Sequence, residues 1–198
     1  MPKPAKDDMR LFFTIIILLG LHLLAAGQAS EKDSVIPMTT EQIQEYRQFI
    51  WDSVPAAVGW VNDYSLLFKR DQEDSLEHKL ARFEAETSVE IMVVTVDSIM
   101  VDKYLFDEFA GRLLKLWGIG KIAKSNGIVI CISKDYRQVF ISADFGIDPM
   151  INKLGRQKII DNYFIPSYEK NEYFKGTYKG ITVLMEKISK NWRKLNVR

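Results

Sequence analysis

Chemistry in this sequence can sit where acids and amides meet glycine turns or strand ends. Asn126-Gly127 opens a run of β-branched residues. Asp144 and Asp148 lie in Asp144-Phe145-Gly146-Ile147-Asp148-Pro149, and Asp63 closes the extended stretch Val58-Gly59-Trp60-Val61-Asn62-Asp63. Carboxylate and carbonyl oxygens carried on turns are the donor set that Ca2+ or Mg2+ takes. A helix starting at Pro149 would also present free amides to an anion such as phosphate. The same residues have an architectural reading. Asp148 before Pro149 suits a helix N-cap, Asp144 suits a turn, and Asn62-Asp63 suits an Asx turn.

Composition narrows the chemistry further. The chain has 198 residues, 27 Lys+Arg, 26 Asp+Glu, two histidines and one cysteine. Near-neutral charge argues against a dedicated nucleic-acid binder, which carries a basic excess. Cys131 alone forms no internal disulfide, Cys-x-x-Cys pair or cysteine-rich zinc site. His78 falls on the polar face of a helix pattern between Glu77 and Lys79, and His22 lies in the N-terminal segment described next. Enzymatic work would therefore fall to carboxylates, backbone amides or an oxygen-ligated metal.

The first 29 residues read as an export address. Lys3, Lys6 and Arg10 precede an apolar run from Leu11 to Ala26, and Gly27-Gln28-Ala29 supplies the small residues a signal peptidase reads. The alternative is an uncleaved membrane anchor, since the run is close to the shortest that spans a bilayer. The expected location is outside the cytoplasm, the periplasm in a Gram-negative cell. Residues 30–54 are expected to be a tether with an extra helix, and residues 55–198 a single domain. In an exported domain a lone Cys131 belongs in the interior of the apolar run Ile128–Ile132.

The remaining patterns define the elements that must position the acids. Thr39 with Gln42 forms a capping-box signature ahead of a helix through Ile43, Tyr46 and Ile50. A second helix is expected over 71–87, a strand over 90–96, a third helix over 103–117 ended by Gly118 and Gly120, and a strand over 127–133. Lys134-Asp135-Tyr136 turns the chain into an antiparallel strand over 137–143. A fourth helix is expected from Pro149 to before Pro166, and a last one over 177–195. Strand–helix–strand connection followed by a hairpin predicts a three-layer α/β/α sandwich around a small mixed sheet. That topology puts Asn126 and Asp144 at one pole and Asp97 and Asp135 at the other, and it leaves Asp63 unassigned. The aromatic stretch Tyr163–Tyr168 with Tyr173-Phe174 reads as packing. The basic end (Lys187, Lys190, Arg193, Lys194, Arg198) complements a helix dipole, with a weak membrane-surface contact as the alternative.

Taken in order, these segments resemble the TPM-domain family, the thylakoid lumen phosphatase-like proteins, over about residues 55–190. The resemblance is carried by Val58–Asp63, Leu80–Thr87, Trp117-Gly118-Ile119-Gly120, Asn126–Ile130, Phe140–Asp148, Ile165-Pro166 and Gly176-x-Tyr178-x-Gly180-Ile181. It implies an α/β/α domain. Some members are described as acid phosphatases with a bound divalent cation, and others look like metal-binding or assembly factors. Asp63 matches the family's early Asp, Asn126-Gly127 its Asn-Gly, and Asp148 the usual Glu. Asp144 replaces a glycine, and Lys153 stands where an acid is expected.

The functional expectation is thus an exported, divalent-cation-binding accessory or assembly module of the cell envelope. The alternative is a metal-dependent acid phosphatase acting on phosphomonoesters. Asp63, Asn126, Asp144 and Asp148 are the expected ligands of Ca2+ or Mg2+ in one polar pocket. The expected partner is an envelope protein or a small phosphorylated ligand, with no nucleic acid.

Overall fold

A computed structural model describes residues 37–120 and 125–196, with side chains through residue 191. The export segment, most of the tether, and Arg193, Lys194 and Arg198 as side chains lie outside the described residues. The chain order is α1 (Thr40–Asp52), β1 (Val61–Asp63), α2 (Arg70–Thr87), β2 (Glu90–Thr95), a 3-10 turn at Lys103–Leu105 and α3 (Phe106–Leu116). Then come β3 (Gly127–Ser133), β4 (Gln138–Ala143), α4 (Lys153–Ile159), a π turn at Ile160–Phe164, α5 (Ile165–Tyr168) and α6 (Tyr173–Asn196).

The four strands form one sheet in the order β1-β2-β3-β4. β1, β2 and β3 run parallel and β4 returns antiparallel, as the crossover and hairpin patterns require. Every residue of β3 is buried, the mark of a strand covered on both faces. On one face Ile91, Val93, Ile128 and Ile130 pack under α2 and α6 through Leu76, Leu80, Phe83, Ile181 and Leu184. On the other, Val94, Val96, Val129 and Cys131 pack with Ile50 of α1 and Phe106, Phe109 and Leu113 of α3. The result is a mixed α/β fold with helices on both sides of a small open sheet. Cys131 is free and fully buried, and burial pushes its thiol pKa up.

Three sequence expectations are corrected. The helix after β4 begins at Lys153, not Pro149, because Asn152 caps it by accepting from the Gly155 amide. It does not stop before Pro166. A π turn shifts the bonding so that Ile165 donates to the Ile160 carbonyl, and α5 carries Pro166 in its first turn. The last helix starts at Tyr173, four residues earlier than its apolar periodicity suggested. Its Gly176 and Gly180 allow close approach of the preceding helical segment. A Cβ at Gly180 would lie 2.0 Å from the Phe164 ring, and one at Gly176 would lie 2.9 Å from Tyr168. The aromatic stretch is accordingly a packed seam, with the Tyr168 hydroxyl 2.6 Å from that of Thr177.

The capping box of α1 is present: Thr39 Oγ1 accepts from the Gln42 amide, and Gln42 Oε1 accepts from the Thr39 amide. α1 is docked on the body. Ile50 is buried, Arg112 donates to the Trp51 carbonyl, and Trp117 Nε1 donates to the Pro55 carbonyl at 2.8 Å.

Candidate functional site

The parallel register decides where each acid goes. β1 pairs with β2 so that Asp63 stands opposite Thr95, and Thr95 stands opposite Ile132 at the far end of β3. Asp63 therefore sits at the carboxyl ends of the parallel strands, with Asp97 and Asp135 in the loops beyond. Asn126 precedes Gly127, which pairs with Glu90 at the opposite end of β2. Five residues of strand separate the two levels, about 17 Å at roughly 3.3 Å per residue. One Ca2+ with ligand distances of about 2.3–2.6 Å cannot join them. The single pocket expected of Asp63, Asn126, Asp144 and Asp148 does not form, because Asp63 is carried to the other pole.

At the carboxyl pole, the chain leaves β1, turns through Leu66 at φ 51° and enters α2. The Asp63 carboxylate closes this loop. Its Oδ1 accepts from the Leu67 amide at 2.9 Å and its Oδ2 from the Phe68 amide at 2.8 Å. The fully buried Thr95 hydroxyl also donates to Oδ1 and accepts from the Ser65 amide. This loop is wider than the Asx turn expected from the sequence. Asp97 Oδ1 accepts from the amides of Ile99 and Met100. Asp135 Oδ2 accepts from the Ser98 amide at 2.8 Å and the Ser98 hydroxyl at 2.6 Å, and these bonds hold the Asp135 pKa below the usual carboxylate value. Arg47 of α1 bridges to Asp102 at 2.9 Å and to the Ser98 carbonyl at 2.6 Å.

At the glycine pole, Asn126 is buried and its side-chain amide donates to the Ser88 carbonyl. Asp144 Oδ2 accepts from the Gly127 amide at 3.2 Å, so Asn126 and Asp144 do come together at adjacent strand ends. Asp148 is half exposed and paired with Arg156 at 2.7 Å, and Arg156 is itself buried and also donates to the Ile151 carbonyl. Lys153 is exposed; its charge partly offsets the burial that raises the Asp107 pKa on α3. Among the described residues, no group of three or more His, Cys, Asp or Glu side chains is placed to hold a metal ion. The expected ligand set does not fit a shared divalent cation.

Sequence reasoning missed two polar roles. Glu77 of α2 accepts from the amides of Trp60 and Val61 at 3.0 and 3.1 Å, anchoring the start of β1. Gly59 makes room for it, since a Cβ there would lie 2.3 Å from Glu77 Oε1. The conspicuous Gly59-Trp60 pair was the available cue, but its partner is 17 residues away. The other is Arg156, whose buried guanidinium converts Asp148 from a free ligand into half of an ion pair. No spacing in the sequence links the two.

The TPM domain family model matches residues 61–187. The chain belongs to the TPM domain family. The match spans β1 to near the end of α6 and leaves α1 outside it. No curated protein matches the chain. Solved structures share the fold, among them these three. The N-terminal domain of a protein from P. gingivalis is 21% identical with a TM-score of 0.62, covering 77% of this chain and 88% of that one. The N-terminal domain of the cg2496 protein from Corynebacterium glutamicum is 14% identical with a TM-score of 0.51, covering 70% and 84%. The BA42 protein from the psychrophilic bacterium Bizionia argentinensis is 19% identical with a TM-score of 0.50, covering 66% and 88%. At these identities the likeness is one of fold.

Proposed function

We propose that this TPM domain is an exported accessory or assembly module of the cell envelope that works by holding a protein partner. One observation carries the reading: each residue nominated for cation chemistry already holds the fold together. Asp63 closes the β1–α2 loop, Asn126 ties down the Ser88 carbonyl, Asp144 holds the Gly127 amide, and Asp148 pairs with Arg156. Carboxylates committed to backbone amides and a guanidinium are poorly placed to exchange ligands in a reaction cycle. Export is supported by the basic and apolar pattern of residues 1–29.

The alternative, a metal-dependent acid phosphatase, has one observation on its side. Asp63, Asp97 and Asp135 share the carboxyl pole with the hydroxyls of Thr95 and Ser98, the end of a parallel sheet where α/β proteins bind ligands. A direct assay separates the two. The purified protein is incubated with a generic phosphomonoester and Mg2+ or Ca2+, with and without a chelator. The accessory reading expects no chelator-sensitive turnover. Metal-dependent hydrolysis that Asp97→Asn or Asp135→Asn abolishes would replace it with the phosphatase.

A further inference from the structure

The two edges of the sheet differ. β1 is three residues long, and its own chain folds against it. Asn62 Oδ1 accepts from the Val58 amide, Asn62 Nδ2 donates to the Gly59 carbonyl, and the Asn62 carbonyl accepts from the Tyr64 amide. β4 runs for six residues, with no strand beyond it among the described residues. The Asp144 amide donates to the Gly127 carbonyl, so alternation turns Gln138, Phe140 and Ser142 towards β3 and the amides and carbonyls of Val139, Ile141 and Ala143 outward. None of these outward groups has a hydrogen-bond partner among the described residues. Val139 and Ile141 are only 9% and 4% exposed, so water serves their backbone poorly, and an unpaired polar group in that position is costly. Free edges are commonly blunted by charge, proline or a bulge. Gln138–Ala143 carries no charge and no proline, and its register with β3 is unbroken.

This edge is complementary to itself. Turned about a dyad through Ile141, two copies of β4 pair antiparallel, Ile141 with Ile141 and Val139 with Ala143, and every outward amide and carbonyl is satisfied. A shift of two residues either way leaves outward groups unpaired at the ends. The flanking charges agree with the same register. Arg137 precedes the strand and Asp144 follows it, so antiparallel pairing sets Arg137 of each copy beside Asp144 of the other. Asp144 Oδ2 holds the Gly127 amide, which leaves Oδ1 to face the guanidinium. The helices agree as well. α3 lies across β3 and β4. With strands about 4.8 Å apart, a helix over that seam stands about 5 Å from the dyad. The two α3 helices then lie about 10 Å apart, an ordinary packing distance. Gly111 of α3 sits beside Ser142, next to the dyad, where a Cβ would meet Ser142 Oγ at 3.7 Å. We infer that β4 pairs with β4 of a second copy of this chain, joining the two sheets into one. The inference stands apart from the accessory-module reading.

The test follows the purified protein by sedimentation and by amide hydrogen exchange from micromolar to millimolar concentration. A monomer–dimer equilibrium is expected. The Val139, Ile141 and Ala143 amides should slow as dimer forms, whereas those of Phe140 and Ser142, already in the β3 ladder, should be slow throughout. Gly111→Glu, which sets two like charges at the helix crossing, should weaken dimerisation by about tenfold or more. Should that variant misfold, Arg137→Glu on the exposed turn carries the test. It faces Asp144 of the other copy with a like charge, and raised ionic strength should recover part of its loss. A protein that stays monomeric at millimolar concentration, a dimer whose Val139, Ile141 and Ala143 amides exchange as in the monomer, or folded variants that dimerise like the parent overturn the inference.

Discussion

The two poles of the sheet are closed by different means. At the carboxyl pole, three carboxylates fold onto the loops around them: Asp63 onto the Leu67 and Phe68 amides, Asp97 onto the Ile99 and Met100 amides, and Asp135 onto Ser98. At the glycine pole, backbone packs directly on backbone. A Cβ on Gly120 would lie 2.4 Å from the Gly127 nitrogen, and one on Gly127 would lie 2.1 Å from the Ile119 carbonyl oxygen. Carboxylates serve both ends, with Asp144 on the Gly127 amide and Glu90 on the Gly120 amide at the glycine pole, but only the glycine pole also depends on missing side-chain volume. An acid at a strand end is thus weak grounds for a ligand site when loop amides are within its reach.

The sharpest way to break this contrast is to add one methyl group at the glycine pole. Gly127→Ala forces its Cβ into the Ile119 peptide, which cannot swing aside as a flexible side chain can. A loss of about 3 kcal/mol is expected, the upper part of the usual overpacking range. It is read as a lowered urea midpoint at unchanged slope. A variant as stable as the parent would show that the pole is not closed by contact. Next in size is Asp63→Ala at the other pole. It strands the Leu67 and Phe68 amides and the Thr95 hydroxyl, for an expected loss of about 2 kcal/mol. Asp63→Asn should recover part of this, because its single carbonyl oxygen can still accept. Equal losses for both variants would mean that the hydrogen bonds are not what Asp63 supplies.

What could be read from the sequence follows the range of the interactions. Periodicity placed β2, β3, β4 and the bodies of α2 and α3, because each buries one continuous face. The crossover rule then gave parallel pairing and put Asp97 and Asp135 at one pole and Asn126 and Asp144 at the other. β1 is only three residues long, and nothing local fixes its direction. The pole of Asp63 therefore waited on its register with β2. The helix after β4 begins late because Asn152, not Asp148, caps it, and the Asp148 carboxylate is paired with Arg156 instead. α1 was legible as a helix through its capping box. That it completes one face of the core, with Ile50 buried there, is a property of the assembled fold.

A smaller effect is expected from Asp148→Ala. Removing this half-exposed carboxylate leaves the buried Arg156 guanidinium with the Ile151 carbonyl, so the loss should be about 1.5 kcal/mol. Ca2+ and Mg2+ should stabilise parent and variant alike, measured as the shift in melting temperature on adding millimolar metal. A metal-induced shift seen only in the parent would restore Asp148 as a ligand and reopen the cation site at the glycine pole. By the same logic Lys153→Asp should add no metal-dependent stabilisation, because Lys153 is exposed and acts electrostatically on Asp107.

The smallest expected effect separates the poles by pH. The Ser98 hydroxyl and amide hold the Asp135 pKa below its ordinary value of 3.8. A carboxylate depressed in the folded state adds stability above its unfolded pKa and loses it as pH falls through the folded value. Asp135→Ala should therefore melt below the parent at pH 6, and the gap should close as pH falls from about 4 towards 2, where both proteins carry a neutral or absent carboxyl. Ser98→Ala should produce a smaller gap over the same window, because it removes the hydroxyl and keeps the amide. The deficit of Gly127→Ala arises from volume and should persist unchanged between pH 6 and 3. Because Asp135 is exposed, raising the ionic strength should also shrink its gap and leave that of Gly127→Ala alone. An Asp135→Ala deficit that stayed constant down to pH 2 would mean that its stabilisation is not held by the ionised carboxylate, and the charge-closed description of the carboxyl pole would fail there.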